Sequence, residues 1–494
     1  MLSKEEIVKS VPQKGFIGHP KGLFSLFFTE FWERFSYYGM RAILIFYMYY
    51  AVKDGGLGLD REQANIIMSI YGSLIYMSGI IGGWIADRIL GTQRAVFYGG
   101  IMIMLGHIAL SLPGGVTALY ASMVLIIIGT GLLKPNVSSV VGDLYSANDP
   151  RRDSGFSIFY MGINMGAFLS PLLVGWTQKE WGFHAGFAVA AVGMFVGLVV
   201  FWVTKRNLGL AGSQPTNPLL PGERKKTFTT FGVAAIVIAI IGIVTYMTGH
   251  FTIGNFSLLI TTLGVLIPTI FIAYMYRSPK TNADEKSRLL AYIPLFICAV
   301  MFWAIQEQSS TILATFVDTR TNLMLGDFKI EPAWFQSLNP LFIITLAPVF
   351  AFIWAKLGER GPSTPKKFAL SLFFAGASFL IMVAAILLTG TGALINPLWV
   401  VLSFFLVVLG ELLLSPVGLS ATTKLAPQAF AGQTMALWFL ASAAAQAINA
   451  QLVRIYELVS ETSYFGVLGG ISVFLGIVLL FMSPMISRAM RGIK

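Results

Sequence analysis

The chain has 494 residues, is 56% hydrophobic and only 12% charged, whereas a soluble domain carries about a quarter charged residues, so a soluble fold is excluded and most of the surface faces lipid. The net charge of +11 would suit nucleic acid only if it formed one basic face. Instead 25 of the 34 Lys and Arg residues fall on alternate connections between apolar stretches, six on the other connections and three within the stretches, the asymmetry of a multi-pass membrane protein with both termini expected in the cytoplasm.

Each apolar stretch is long enough to cross about 30 Å of hydrocarbon as a helix, and the alternation of a membrane barrel is absent. A polar segment, 1–21, comes first and lacks a short apolar region with a cleavage site, so no cleaved signal is expected. Six spans follow over 22–50, 62–87, 95–112, 117–142, 154–176 and 183–204. The connector 205–226, rich in Pro, Gly and charge, reads as a linker. Spans 228–249 and 255–276 contain no Asp, Glu, Lys or Arg and read as peripheral scaffolding. A second set of six covers 289–317, 334–356, 367–388, 397–421, 430–455 and 464–487. The expected organisation is therefore an all-α membrane protein of fourteen spans, with a cytoplasmic N-terminus (1–21), an N-terminal six-helix bundle (22–204), a linker with two additional helices (205–288) and a C-terminal six-helix bundle (289–494).

Ionisable groups at membrane depth are expensive and mark function by default. Seven qualify: Glu30, Glu33, Arg34, Arg41, Lys134, Glu307 and Glu411. In FTEFWERFSYYGMR, the residues Glu30, Glu33, Arg34, Tyr37, Tyr38 and Arg41 recur at helical spacing and make one polar stripe, which predicts a cavity-lining face. The plainer alternative is an ion-pair network that only holds helices together.

Counting residues along each span puts Arg41 and Glu307 in the outer half and Lys134 and Glu411 in the inner half. Two opposite-charge pairs at matched depths predict an outer and an inner latch between two bundles. Four carboxylates against three cations leave one surplus negative charge, so one proton neutralises the set; Glu307 is the first choice of site, then Glu30 or Glu33.

Among the charges lie Tyr38, Tyr76, Tyr160, Asn164, Trp303, Gln306, Asn339 and Trp438. Such a cavity suits a ligand with an amine, a carboxylate and variable side chains: Glu411 for the amine, Arg34 and Lys134 for the carboxylate, and the aromatics as tolerant pockets, although core packing explains any single aromatic as well. At the cytoplasmic mouth, GGWIADRILGTQR (82–94) sets Asp87, Arg88 and Arg94 between two spans, as a latch or as topology-setting charge. No GxxxxGK[ST] loop occurs, so energy must come from a gradient. The four histidines are scattered and His107 reads as structural, so no metal is expected; the single Cys298 can form no intrachain disulfide.

These segments resemble the proton-dependent oligopeptide transporter family of the major facilitator superfamily. FTEFWERFSYYGMR is similar to its ExxER[FY]xYY motif, GGWIADRILG and FSIFYMGINMG (156–166) to two further signatures, and FWAIQEQ (302–308) and GELLLSPVG (410–418) to charged segments of its second bundle. The resemblance implies the major facilitator fold and proton-coupled import of di- and tripeptides across the plasma membrane. A monomer in lipid is expected, with no cofactor besides the proton and no nucleic-acid partner. The resemblance gives Glu30, Glu33 and Arg34 to proton coupling and carboxylate binding, and Glu307 with Arg41 to the outer gate. Tyr38, Tyr76, Lys134, Asn164, Asn339 and Glu411 go to peptide contact. The short connection 389–396 departs from animal members, which carry a large domain there, and points to a bacterial-type protein. The alternatives are a facilitator of another small solute such as nitrate, a drug or a sugar, and then a channel or nutrient receptor; an enzyme is disfavoured for want of a nucleophile–base pair.

Overall fold

The computed structural model describes residues 4–146, 149–390 and 392–492, with 359 and 431–433 described by backbone alone. Lys494, the first three residues of the N-terminal segment and Thr391 of the 389–396 connection lie outside the described residues.

A short helix α1 (Lys4–Ser10) precedes α2 (Lys21–Tyr49), α3 (Arg61–Ile85), α4 (Thr92–Ser111), α5 (Gly115–Asp143), α6 (Arg152–Trp181) and α7 (Phe183–Thr204). Two further helices, α8 (Pro221–Met247) and α9 (Ile253–Arg277), lead to α10 (Ala283–Gln306), α11 (Ile312–Arg320), α12 (Leu338–Leu357), α13 (Thr364–Thr389), α14 (Pro397–Leu425), α15 (Ala431–Leu458) and α16 (Glu461–Ala489). Among the described residues, thirteen helical segments are long and apolar enough to cross a membrane. Helix α2, with 29 residues, is the fourteenth long helix and differs from them in carrying four charges along its middle, so the fourteen predicted spans are all helices.

One predicted span is not continuous. The stretch 289–317 breaks after Gln306 into a tight 3-10 turn over Glu307–Ser310, and α11 resumes at Ile312. The sequence there is polar, and its side chains compete for the backbone: Ser310 donates to the Glu307 carbonyl and Gln308 to the Ala304 carbonyl. The break delivers Glu307 from a helix end rather than from a helix side.

Lipid is as apolar as leucine, so these helices associate by close packing rather than by a hydrophobic drive. Helix α2 packs on α6 and α7, α4 on α5, and α3 on α5; in the second half α13 packs on α14 and α16. Pro135 in α5 cannot donate to the Gly131 carbonyl one turn back. At that point α3 comes closest: a Cβ on Gly82 would lie 1.9 Å from the Gly131 oxygen. Asn136 closes the contact by donating to the Gly82 carbonyl at 3.3 Å. The glycine of the 82–94 segment is thus a packing requirement of the α3–α5 seam.

The two inserted helices differ in how they meet the body. Helix α9 packs on both α15 and α3; Thr261 donates to the Ala447 carbonyl at 2.8 Å, and Arg454 donates to Ser257 at 2.9 Å. Helix α8 has no buried residue among those described and touches the body through its first turns, by Arg88 to Glu223 at 2.7 Å and by the rings of Trp84 and Phe231. An all-round apolar helix exposed along its length is surrounded by lipid.

Candidate functional site

The polar stripe of α2 divides in two. Its lower part, Glu30, Glu33 and Arg34, is buried: Arg34 Nε bonds the Glu33 carboxylate and lies 3.1 Å from Glu30 Oε1, while the guanidinium sits over the rings of Tyr37 and Tyr38. Glu30 Oε2, Glu33 Oε1 and Arg34 Nη2 make no hydrogen bond there. The upper part, Tyr38 and Arg41, lines a cavity of about 170 Å³.

The expected outer pair is formed. Arg41 Nη2 donates to Glu307 Oε2 at 2.6 Å and to Ser310 Oγ at 2.7 Å. Gln446 of α15 donates to the same carboxylate oxygen at 2.7 Å, and Tyr76 of α3 donates to the other oxygen at 3.3 Å. A desolvated carboxylate is tolerated because these donors satisfy it, the arginine most strongly. Neither Gln446 nor Ser310 was picked out by charge. Gln446 shares an apolar span with the amides Asn449 and Gln451, and amides at that depth are the signal that identifies it.

The expected inner pair is not formed. Among the described residues no ion pair joins Lys134 to Glu411. Lys134 Nζ lies 4.3 Å from the centre of the Tyr76 ring, while Glu411 accepts from Asn339 Nδ2 at 2.9 Å and from Gln306 Nε2 at 3.4 Å. Residue depth fixes height in the membrane but not direction around the helix, and a latch expected to alternate with the outer one is open when the outer one is shut.

Cavity walls come from both halves: Tyr38, Tyr76, Tyr160 and Asn164 from the first, Trp303, Gln306, Asn339 and Glu411 from the second. Of the candidate ligand contacts, Arg34 and Lys134 lie behind the lining tyrosine rings. Trp438 is buried against Phe368, its ring filling the space beside Gly418 in the core of the second half. His107 is buried with neither ring nitrogen hydrogen-bonded.

The 82–94 segment meets the linker. Asp87 accepts from the Thr216 hydroxyl at 2.9 Å and, through its carbonyl, from the Asn217 amide at 2.9 Å, and Arg88 pairs with Glu223. It holds the linker against the mouth of the first half.

The model of the POT family matches residues 93–482, most of the chain. The chain belongs to the POT family. It is 61% identical over 493 residues to an uncharacterized transporter, YclF, of Bacillus subtilis, covering 100% of this chain and 99% of that one. It is 47% identical over 491 residues to a di-/tripeptide transporter of Lactococcus lactis subsp. cremoris, covering 98% and 99%. Among solved structures, a peptide transporter POT in complex with sulfate superposes with a TM-score of 0.97 at 63% identity over 100% of both chains. A POT family transporter in complex with 5-aminolevulinic acid superposes at 0.94 with 46% identity, covering 97% of this chain and 99% of that one. This POT-family protein is a multi-pass membrane transporter, not an enzyme.

Proposed function

We propose that this transporter imports di- and tripeptides together with protons by alternating access, acting as a monomer in the plasma membrane with both termini in the cytoplasm and with no cofactor beyond the proton. Residues 22–204 and 289–494 act as the two moving bundles, and 205–288 as linker and scaffold. The observation that carries the reading is the cavity between the halves, shut at one end by Arg41 and Glu307 at 2.6 Å.

In this reading Glu411, held by Asn339, takes the peptide amine. Arg34 and Lys134 take the carboxylate once the tyrosines in front of them move. Tyr38, Tyr76, Tyr160, Asn164 and Trp303, which line the cavity, surround the side chains, whereas Trp438 packs in the core behind them. Glu307 takes the proton, which removes its charge from Arg41 and loosens the outer end; Glu30 and Glu33 balance Arg34 in the same cycle. Names of related proteins, such as the di-/tripeptide transporter of Lactococcus lactis, support the substrate class.

Counterflow of labelled dialanine in proteoliposomes, competed by di-, tri- and tetrapeptides, tests the substrate class. Competition by the first two and none by tetrapeptides is expected; competition by nitrate or sugars with none by peptides would overturn it.

A further inference from the structure

Between α11 and α12 the chain forms a small hairpin, β1 (Met324–Leu325) paired antiparallel with β2 (Phe328–Lys329), which leads into a 3-10 turn at Pro332. Lys179, in the last turn of α6, reaches across to it from the other half. Its ammonium donates to the Lys329 carbonyl at 3.2 Å, lies 3.7 Å from Glu331 Oε1, and sits 5.4 Å and 5.9 Å from the ring centres of Phe328 and Trp334. Those two rings stack at 5.8 Å. One ammonium held by a carbonyl, a carboxylate and two ring faces is a built socket, not a stray surface pair.

The socket is seated by α6 as well. A Cβ on Gly175, one turn before Lys179, would lie 3.0 Å from the Trp334 ring, so the glycine admits the indole. Deeper along the same seam, Tyr49 and Tyr50 at the end of α2 both donate to Asp318 of α11, Tyr50 at 2.9 Å. The halves are therefore tied along this seam by Arg41 to Glu307, the tyrosine pair to Asp318, Ser337 to the Phe168 carbonyl at 2.8 Å, and Lys179 to the hairpin.

Resting on the alternating-access reading above, we propose that Lys179 and Glu331 form a proton-released clasp on the outer rim, in which a proton taken by Glu331 from outside frees Lys179, lets the hairpin lift and allows the outer ends of the bundles to part. Charged and titratable groups facing Glu331 are Lys179 of α6, Lys329 of β2, Asp318 of α11 and Tyr50 of α2. Burial pushes its carboxyl above the usual carboxylate range, with Asp318 acting in the same direction and the two lysines against it. The proton-rich side in import is the outside, so acid there opens the rim that must admit substrate. An ammonium left without its carboxylate keeps only ring faces and one carbonyl.

Spin labels on Lys53→Cys and Leu458→Cys, both exposed, in a Cys298→Ser background report the outer separation by pulsed electron-spin distance measurement. The wild type gains a longer distance component between about pH 8 and about pH 5. Glu331→Gln has that component already at about pH 8, with the open-to-closed ratio raised roughly two- to fivefold. Lys179→Met does the same, and Lys179→Arg keeps the wild-type curve. Superposition of the Glu331→Gln and Lys179→Met curves on the wild type at every pH would overturn the clasp. Dialanine counterflow in the same vesicles separates the two readings: counterflow with unshifted distances rejects the clasp alone, whereas its loss in the labelled wild-type background rejects the transport reading.

Discussion

The guanidinium of Arg41 meets Glu307 at 2.6 Å across the seam between the two halves, and Gln446 donates to the same carboxylate oxygen at 2.7 Å. A charged acceptor shared by a cation and a neutral amide has a defined response to protonation: the cation loses its counter-charge while the amide keeps an oxygen to bond.

Glu307→Gln therefore mimics the protonated carboxyl permanently. Proton-driven accumulation of dialanine is expected to vanish, while exchange of internal for external peptide persists. Measuring both fluxes on the same vesicles checks this; uphill accumulation by the variant would remove Glu307 from the coupling step.

Glu411 is expected to fix the peptide amine. A hydrogen bond to a charged group is worth about 1.5–3 kcal/mol, so Glu411→Gln is predicted to raise the KM for dialanine roughly ten- to hundredfold. N-acetyl-dialanine, which has no amine charge, supplies the control: wild type and variant should handle it alike. An equal KM loss on both ligands would mean a general disturbance of the cavity.

The α3–α5 seam gives a stability prediction with an internal control. Gly82→Ala places a methyl against the Gly131 carbonyl, whereas a Cβ on the adjacent Gly83 meets nothing within 4 Å. The first is expected to destabilise by about 1–3 kcal/mol through overpacking and the second by much less. Melting temperatures in detergent decide it, and equal shifts would contradict the packing argument.

A pH prediction comes from the N-terminal segment that precedes α2. His19 is buried beside Tyr145, its Nδ1 3.0 Å from the phenol oxygen. Burial, and then the charge of Arg151, hold its imidazole below the usual histidine range, with Asp149 pulling the other way. The fold thus prefers neutral His19. The stability this contributes is complete above about pH 6.5, the unfolded value, and is lost as pH falls through that point toward the lower native value. The melting-temperature difference between wild type and His19→Gln should shrink from about pH 7.5 to about pH 5; a difference independent of pH would rule out this linkage.

Hydropathy made the spans legible because each apolar run reports its own burial in lipid. It hid the break at Glu307, where apolar flanks outweigh the six polar residues Gln306 to Thr311 in any span-length window. Charge at depth identified Arg41 and Glu307 as partners, and the structure joins them. The same reasoning expected Lys134 to meet Glu411, which instead bonds Asn339 and Gln306, because matched depth is blind to rotation and to which end is shut. Gln446 carries no charge, and the Lys179 socket is built from a loop hairpin, so neither could be found by searching spans for ions.

If proton binding and opening of the peptide cavity are one event, labelled dialanine should be driven uphill into proteoliposomes by an imposed inward proton gradient with no membrane potential. Accumulation above the external concentration that collapses when a protonophore is added is the expected result. Equilibration to the same level with and without the gradient, or a peptide-independent conductance, would contradict it.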